Sequence, residues 1–198
     1  MKKIETIWHY LLFQAIEQKQ FQHTQAGLAK LFQYSTSTIN LALVKPTAIG
    51  AVRKSGKFFV VADVLKLLYL AATIRNLAKD IIYQTRSALS IHELEGLAPP
   101  TAIYGGYSAA SQILIEPPAD YSTLYLYLDP NYLTELKSRY PYVKSGPTHI
   151  IILKKPTYLP IPNHTPLSHT FIDIWNMPEW YARDFTQALE DKIHDLLS

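Results

Sequence analysis

The side chains best suited to chemistry in this 198-residue sequence are polar and basic ones grouped between residues 24 and 62. Hydroxyl and amide groups can bond to phosphate oxygens and base edges, and lysine and arginine can neutralise phosphates. The candidate contacts are Gln25, Ser35, Thr36, Ser37, Thr38, Asn40, Arg53, Lys54 and Lys57. These residues predict a surface that binds double-stranded DNA, although the same residue types also serve as helix caps and solvated turns.

A second candidate site is the turn Gly105-Gly106, which lies between a predicted strand and a predicted helix. Glycine lets the backbone approach a phosphate closely, and N–H groups at a helix start can face it. Together with Ser108, this turn could hold a ligand phosphate. The next predicted strand carries Tyr125 and Tyr127 at alternate positions, where paired carboxylates would be needed to hold a divalent metal. We therefore predict no metal site, no catalytic residues and no enzyme activity.

Other chemistries find little support in the sequence. The seven histidines are scattered, and the closest pair, His164 and His169, has no acidic residues at ligand spacing. The sequence contains no cysteine, which excludes disulfides and thiolate metal sites and is typical of a reducing cytoplasm. No apolar run reaches the length of a membrane span, and the N-terminal residues lack the pattern of a signal peptide. We expect a cytoplasmic protein that needs no cofactor and does not contact a membrane.

Three helices and a hairpin should position the basic residues. Apolar spacing predicts a helix over residues 3–19, and Thr24 and Ser35 are N-cap candidates for two further helices, the second of which should end at Pro46. Two strand-like runs around Gly56 predict a hairpin. Helix, turn, helix and hairpin resemble the winged helix-turn-helix family, with Gln33 at a turn position where glycine is common. Such units also serve as protein-interaction modules, and that alternative stays open.

Charge divides the chain into two parts. Residues 1–80 carry a net charge of +7 and the remainder carries −4, which suggests a polyanion-binding part joined to a part with another task. Between them, residues 63–77 predict a helix that begins at Asp63 and is apolar on most faces. Either the second part covers this helix, or it is a self-association surface with Leu67, Leu68 and Leu70 as contacts. A homodimer would suit the two-fold symmetry of many operators.

The second part alternates strands and helices. Strands are predicted near residues 81–85, 101–104, 121–128 and 148–154, and helices near residues 90–97, 107–114 and 130–140. Residues 171–175 are predicted as an edge strand or as the lead into a last helix, which Asn176 should cap with Glu179 in its capping box. The predicted fold class is α+β: an N-terminal winged helix-turn-helix over residues 1–77 and an α/β part over residues 78–198.

The order of these elements resembles AbiEi-type antitoxins and related transcriptional regulators of type IV toxin–antitoxin systems. The resemblance is carried by three stretches: L-L-Y-L-A-A-T-I-R-N-L from Leu67, Y-G-G-Y-S-A-A from Tyr104, and D-I-W-N-M-P-E-W-Y-A-R-D-F-T-Q-A-L-E from Asp173. The Gly-Gly turn is similar to the one that opens the nucleotidyltransferase fold, here without its metal carboxylates.

That resemblance implies a first part that binds operator DNA and represses its own operon. It also implies a degenerate nucleotidyltransferase-like second part that counteracts a nucleotidyltransferase toxin without forming a stable complex with it. Two alternatives remain open, a nucleotidyltransferase-fold enzyme and a regulator that binds a small effector, both of which would use the Gly105-Gly106 turn.

Overall fold

The computed structural model describes residues 1–159 and 162–198, and its fold is mixed α+β with two sheets, as predicted. The first part has the order α1 (Lys3–Ile16), β1 (Gln22–His23), α2 (Gln25–Phe32), α3 (Thr36–Ala48), β2 (Val52–Ser55) and β3 (Phe58–Val61). Its strands form an antiparallel sheet in the order β1-β3-β2. The predicted hairpin is therefore present, with β1 added at its edge.

Local capping explains where α2 and α3 begin. The Thr24 hydroxyl accepts a hydrogen bond from the Gly27 amide at 2.9 Å, and the Ser35 hydroxyl accepts one from the Thr38 amide at 3.2 Å. Both N-caps are confirmed. Between the helices, Gln33 has a φ of 55°, in the left-handed region that ends many helices. Gln33 thus adopts the conformation for which glycine is favoured at such a turn.

The prediction that Pro46 ends α3 was wrong, because the helix continues through Pro46 to Ala48. Proline has no N–H, so it cannot bond to the carbonyl of Ala42 four residues earlier. Trp8 of α1 supplies the missing donor, since its Nε1 lies 2.7 Å from the Ala42 carbonyl oxygen. A tertiary hydrogen bond therefore replaces the one that the proline removes.

The second part begins after α4 (Val64–Ile74), which Asp63 caps as predicted. The further elements are a 3₁₀ turn (Leu77–Asp80), β4 (Ile81–Ser87), α5 (Ile91–Gly96), β5 (Ile103–Gly105), α6 (Gly106–Ile113), β6 (Thr123–Leu128), a 3₁₀ turn (Pro130–Tyr132), α7 (Leu133–Arg139), β7 (Thr148–Lys154), α8 (Leu167–Trp175) and α9 (Ala182–Leu197). The second sheet has the order β4-β7-β6-β5, in which β6 and β7 are parallel and the pairs β4–β7 and β5–β6 are antiparallel.

One prediction near the C-terminus was wrong, and another was decided between its two alternatives. Residues 171–175 belong to helix α8, which leads into α9, and do not form an edge strand. Asn176 ends α8, although it was predicted to cap α9. The Asn176 side chain donates to the carbonyl oxygens of Ala72 and Ile172, both at 2.9 Å. Glu179 bonds to distant tyrosines, so neither residue is available for the predicted capping box.

The larger hydrophobic core runs through both parts. It includes Ile7, Leu11 and Leu67 from the first part and the fully buried Phe171 and Phe185 from α8 and α9. The other face of the second sheet packs against α5 and α7 in a smaller core. The division of the chain into domains at residue 77 stays a prediction.

The core decides between the two predictions for α4. Leu67 and Leu68 are fully buried, and α1 and α8 pack against the helix. Leu67 and Leu68 are therefore covered within one chain, and their placement in a self-association surface was wrong. Leu70 is half-buried, and a homodimer stays a prediction. In the described residues, no helix is both long and apolar enough to cross a membrane.

Candidate nucleic-acid interface

The starts of α2 and α3 and the tip of the β2–β3 hairpin converge on one groove of about 440 Å³. Four predicted DNA contacts line it: Gln25, Thr36, Lys54 and Lys57. They come from three elements, and the packing of α2 against α3 together with the hairpin brings them together. The fold thus collects into one surface residues that are spread over thirty-three positions of the sequence.

The charge of this surface has one sign. Residues 18–62 contain six basic residues and no Asp or Glu: Lys19, Lys30, Lys45, Arg53, Lys54 and Lys57. In the part of the chain that the structure describes, none of these six forms an ion pair with a carboxylate. Arg53, Lys54 and Lys57 are exposed at the hairpin. The surface therefore presents uncompensated positive charge to solvent, which attracts polyanions.

The hydroxyl and amide residues divide into two groups. Ser35 is committed to the start of α3, because its hydroxyl lies 2.9 Å from the hydroxyls of both Ser37 and Thr38 and also accepts from the Thr38 amide. Thr36, Ser37 and Asn40 are exposed, while Thr38 is half-buried. Thr36 and Asn40 are the better placed for contact with a ligand, and Ser37 is exposed although its hydroxyl also contacts Ser35. Ser35, although exposed, and Thr38 mainly stabilise the helix start.

A hydrogen bond joins α3 to the hairpin. The Lys54 ammonium donates to Oδ1 of Asn40 at 2.9 Å. This contact fixes the hairpin beside the exposed face of α3 and does not engage the amide N–H groups of Asn40. The hairpin and the helix therefore present one continuous surface.

Sequence reasoning missed two apolar residues on this surface. Leu41 is 60% exposed and Val44 is 51% exposed, although both belong to α3. The helical spacing of the sequence could have predicted this exposure. The buried stripe of α3 excludes Leu41 and Val44 and consists of Ile39, Ala42, Leu43 and Pro46. Apolar side chains at such positions need a partner or remain in contact with water.

The second candidate site is closed in this structure. Gly105, Gly106 and Ser108 are all buried. Gly106 has a φ of +51°, and a Cβ placed on it would lie 2.8 Å from the terminal methyl group of Met177. Met177 therefore packs against Gly106, and the burial of all three residues leaves no open cradle at this turn. Ligand binding by these three residues stays a prediction.

Two tyrosine hydroxyls form hydrogen bonds beside the Gly105-Gly106 turn. Tyr107 and Tyr125 both donate to the carboxylate of Glu179, each at 3.0 Å. Burial, followed by the negative charge of Glu179, raises the pKa of both hydroxyls well above the usual value of tyrosine. Both therefore remain protonated donors at neutral pH. In the described residues, no group of three or more His, Cys, Asp or Glu could hold a metal ion.

A buried polar cluster joins the two parts, and no pattern in the sequence indicated it. Arg75 donates from Nε to Asp173 at 3.1 Å and from Nη2 to the Tyr127 hydroxyl at 3.1 Å, and it also pairs with Asp80. His169 lies 3.3 Å from the Asp173 carboxylate. Arg75, Tyr127, His169 and Asp173 are each less than 5% exposed, so the cluster can position helices but is closed to a ligand.

The charges in this cluster depend on one another. Burial disfavours the ionised form of Asp173, but interactions with His169 and Arg75 outweigh it and hold the pKa of that carboxyl well below its usual range. The ring of His9 is tilted by 51° against that of His169, with centroids 4.2 Å apart, and its Nδ1 has no hydrogen-bond partner among the described residues. Burial and the neighbouring His169 lower the pKa of His9 well below 6.5.

Comparisons of the chain with protein families, with curated proteins and with solved structures gave no significant match.

Proposed function

We propose that this protein binds double-stranded DNA through α2, α3 and the β2–β3 hairpin, in the manner of a winged helix-turn-helix, and acts as a transcriptional regulator. The observation that carries the proposal is the surface that α2, α3 and the hairpin form: four of the predicted contacts, among them Lys54 and Lys57, share one groove, and residues 18–62 contain six basic residues and no Asp or Glu. A uniformly basic surface of this kind favours phosphates, and exposed hydroxyl and amide groups favour base edges.

The dimensions of α3 support this mode of binding. A helix of 13 residues is about 20 Å long, and the major groove is about 12 Å wide, which admits one α-helix. In the proposed complex, the exposed face of α3 enters the major groove with Thr36, Ser37 and Asn40 towards the bases. Arg53, Lys54 and Lys57 of the hairpin then contact the flanking phosphates, and Gln25 contacts the backbone from the start of α2.

We further propose that the regulator is the antitoxin of a type IV toxin–antitoxin system, with residues 78–198 as its nucleotidyltransferase-like part. This step is supported by the resemblance of the sequence alone. Co-expression of the full chain with any nucleotidyltransferase encoded in its operon tests it. Rescue of growth by the full chain would support the role, and an operon without a toxin would contradict it.

DNA binding itself is tested by fluorescence anisotropy with duplexes from the region upstream of the gene, at a series of salt concentrations. We expect binding that weakens steeply with salt. The variant R53A/K54A/K57A should bind all sequences more weakly. Its slope of log K against log salt should fall by about 0.9 for each phosphate that the variant no longer neutralises.

A matched control removes the same charge elsewhere. The variant K144A/K154A/K155A replaces three exposed lysines of the second part and should retain the slope of the wild-type protein. Absence of binding to any upstream duplex at low salt would overturn the proposal. An equal decrease of slope in both variants would also count against it, since binding would then depend on net charge alone.

A further inference from the structure

The exposed face of α3 combines polar and apolar residues in a definite order. Ser37 and Asn40 occupy its first half, and Leu41 and Val44 follow on the same exposed side. The opposite side of the helix is buried through Ile39, Leu43 and their neighbours. Leu41 and Val44 therefore contribute little to the core, and their side chains are available to a partner.

The surroundings of Leu41 and Val44 restrict what that partner can be. The two side chains border a groove of about 290 Å³ between α1, α3 and the end of α4, whose other apolar residues are Ile4, Trp8 and Ile74. Lys2 and Lys45 also line this groove, while Glu5 is buried and lies 3.7 Å from the Arg75 guanidinium. The exposed apolar pair therefore belongs to an apolar groove that two lysines border.

We propose that Leu41 and Val44 contact thymine methyl groups in the major groove, so that the sequence this protein prefers contains A·T pairs beneath them. The inference rests on the proposed function and names the bases that the exposed face of α3 would recognise. The C5-methyl group of thymine is the apolar feature of the major-groove edge, and apolar side chains recognise it by direct contact.

The spacing along α3 fits a run of adjacent base pairs. Ser37 and Val44 are seven residues apart, which corresponds to about 10 Å along the helix axis. This distance is roughly three base-pair steps of 3.4 Å. Ser37, the pair Asn40 and Leu41, and then Val44 can therefore lie over successive positions in the groove.

Electrostatics favours DNA over a second copy of the chain at this face. Two copies that met through Leu41 and Val44 would bring Lys2, Lys45 and the hairpin cations of both chains together, and Glu5, the acidic residue of this groove, is buried beside Arg75. Repulsion between like charges opposes such a contact. DNA offers methyl groups between two rows of phosphates and so matches both the apolar and the basic residues.

The experiment begins with selection of binding sites from a pool of random-sequence duplexes by the full-length protein. Each thymine of the selected site is then replaced by deoxyuridine, which lacks only the C5-methyl group and keeps the same hydrogen-bonding groups. We expect about four-fold weaker binding at one or more positions, the amount that corresponds to one buried methyl group. L41A and V44A should bind the thymine site more weakly and lose the response to deoxyuridine at their own positions.

L97A is the matched control, because Leu97 is 39% exposed and lies in the second part of the chain. It should respond to deoxyuridine as the wild-type protein does, and circular dichroism should show that all three variants are folded. If the protein binds its selected site and no deoxyuridine replacement weakens it, the inference is wrong while DNA binding stands. If no duplex is bound at low salt, both the inference about thymine and the proposed DNA binding are wrong. Light scattering that shows a dimer disrupted by L41A, with an unchanged deoxyuridine response, would also overturn the inference.

Discussion

Arg75 at the end of α4 donates a hydrogen bond from Nε to Oδ1 of Asp173 in α8, at 3.1 Å, and both side chains are buried. The two residues are 98 positions apart in the sequence and belong to opposite parts of the chain. A buried charge is costly unless it is paired, so each of the two stabilises the other only when α4 and α8 are packed together. The stability of the basic first part is thereby linked to the second part.

We expect D173N to lower the free energy of unfolding by about 3–5 kcal/mol, because it leaves the buried Arg75 guanidinium with less compensating charge. Urea denaturation followed by circular dichroism measures the change. D195N is the control, since Asp195 is exposed on α9 and should be replaced at little cost. Equal stability of the two variants would show that the Arg75–Asp173 pair contributes nothing.

The stability of the protein should decrease as the pH falls below about 6.5, partly through His9. Burial keeps this imidazole neutral in the folded state, where its pKa is well below 6.5, and Arg75, His169 and the amino group of Met1 also disfavour its protonation, while Asp173 favours it. The unfolded chain therefore binds one more proton than the folded chain in this range, which lowers stability by up to about 1.4 kcal/mol per pH unit.

Unfolding free energies at pH 8, 6 and 5 test the role of His9. The variant H9Q should show a shallower fall with decreasing pH than the wild-type protein. The control H92Q replaces an imidazole whose side chain is 85% exposed and should follow the wild-type curve. An unchanged pH dependence in H9Q would contradict the assignment.

Glu17 should make the protein less stable as the pH rises, whereas His9 does so as the pH falls. Its carboxylate accepts a hydrogen bond from the Leu167 amide at 3.0 Å, at the start of α8, and burial raises its pKa to about 7. The folded chain therefore holds a proton on this carboxyl that the unfolded chain releases above about 4.5, so its contribution to stability is lost as the pH rises from about 4.5 to about 7.

Replacement of Glu17 by glutamine keeps an acceptor at the same place without the charge. We expect E17Q to match the wild-type protein at pH 5 and to exceed its unfolding free energy at pH 8 by about 1–2 kcal/mol, after allowance for screening by solvent. Thermal denaturation at the two pH values measures the difference, with E116Q at an exposed position as the control. A variant that is less stable than the wild-type protein at pH 8 would show that the charged carboxylate is needed there.

Calorimetry with nucleoside triphosphates and Mg²⁺ should show no tight, metal-dependent binding. The reason is that Met177 and Tyr125 occupy the space beside Gly106, and Tyr125 and Tyr127 stand where metal carboxylates would be needed. The variant M177A opens that space and serves to test whether steric closure alone prevents binding. Tight binding by the wild-type protein would favour the nucleotidyltransferase or the effector-binding alternative over the proposed function.

The sequence by itself determined the local features of this protein. Thr24, Ser35 and Asp63 start their helices as predicted, because each cap bonds to an amide three residues further along the chain. The alternating run before Leu128 forms a strand, and the hairpin turns at Gly56, for similarly local reasons. The basic character of residues 18–62 also belongs to the sequence alone, since charge does not depend on the fold.

Tertiary structure decided the features whose partners are distant in the chain. Pro46 remains inside α3 because Trp8 bonds to the carbonyl that the proline leaves free, and the Gly105-Gly106 turn is closed because Met177 packs against it. The exposure of Leu41 and Val44 depends on which face of α3 meets α1. Hydropathy and spacing describe an element's own residues but not the neighbour that will cover it, so these outcomes follow only from the packed core.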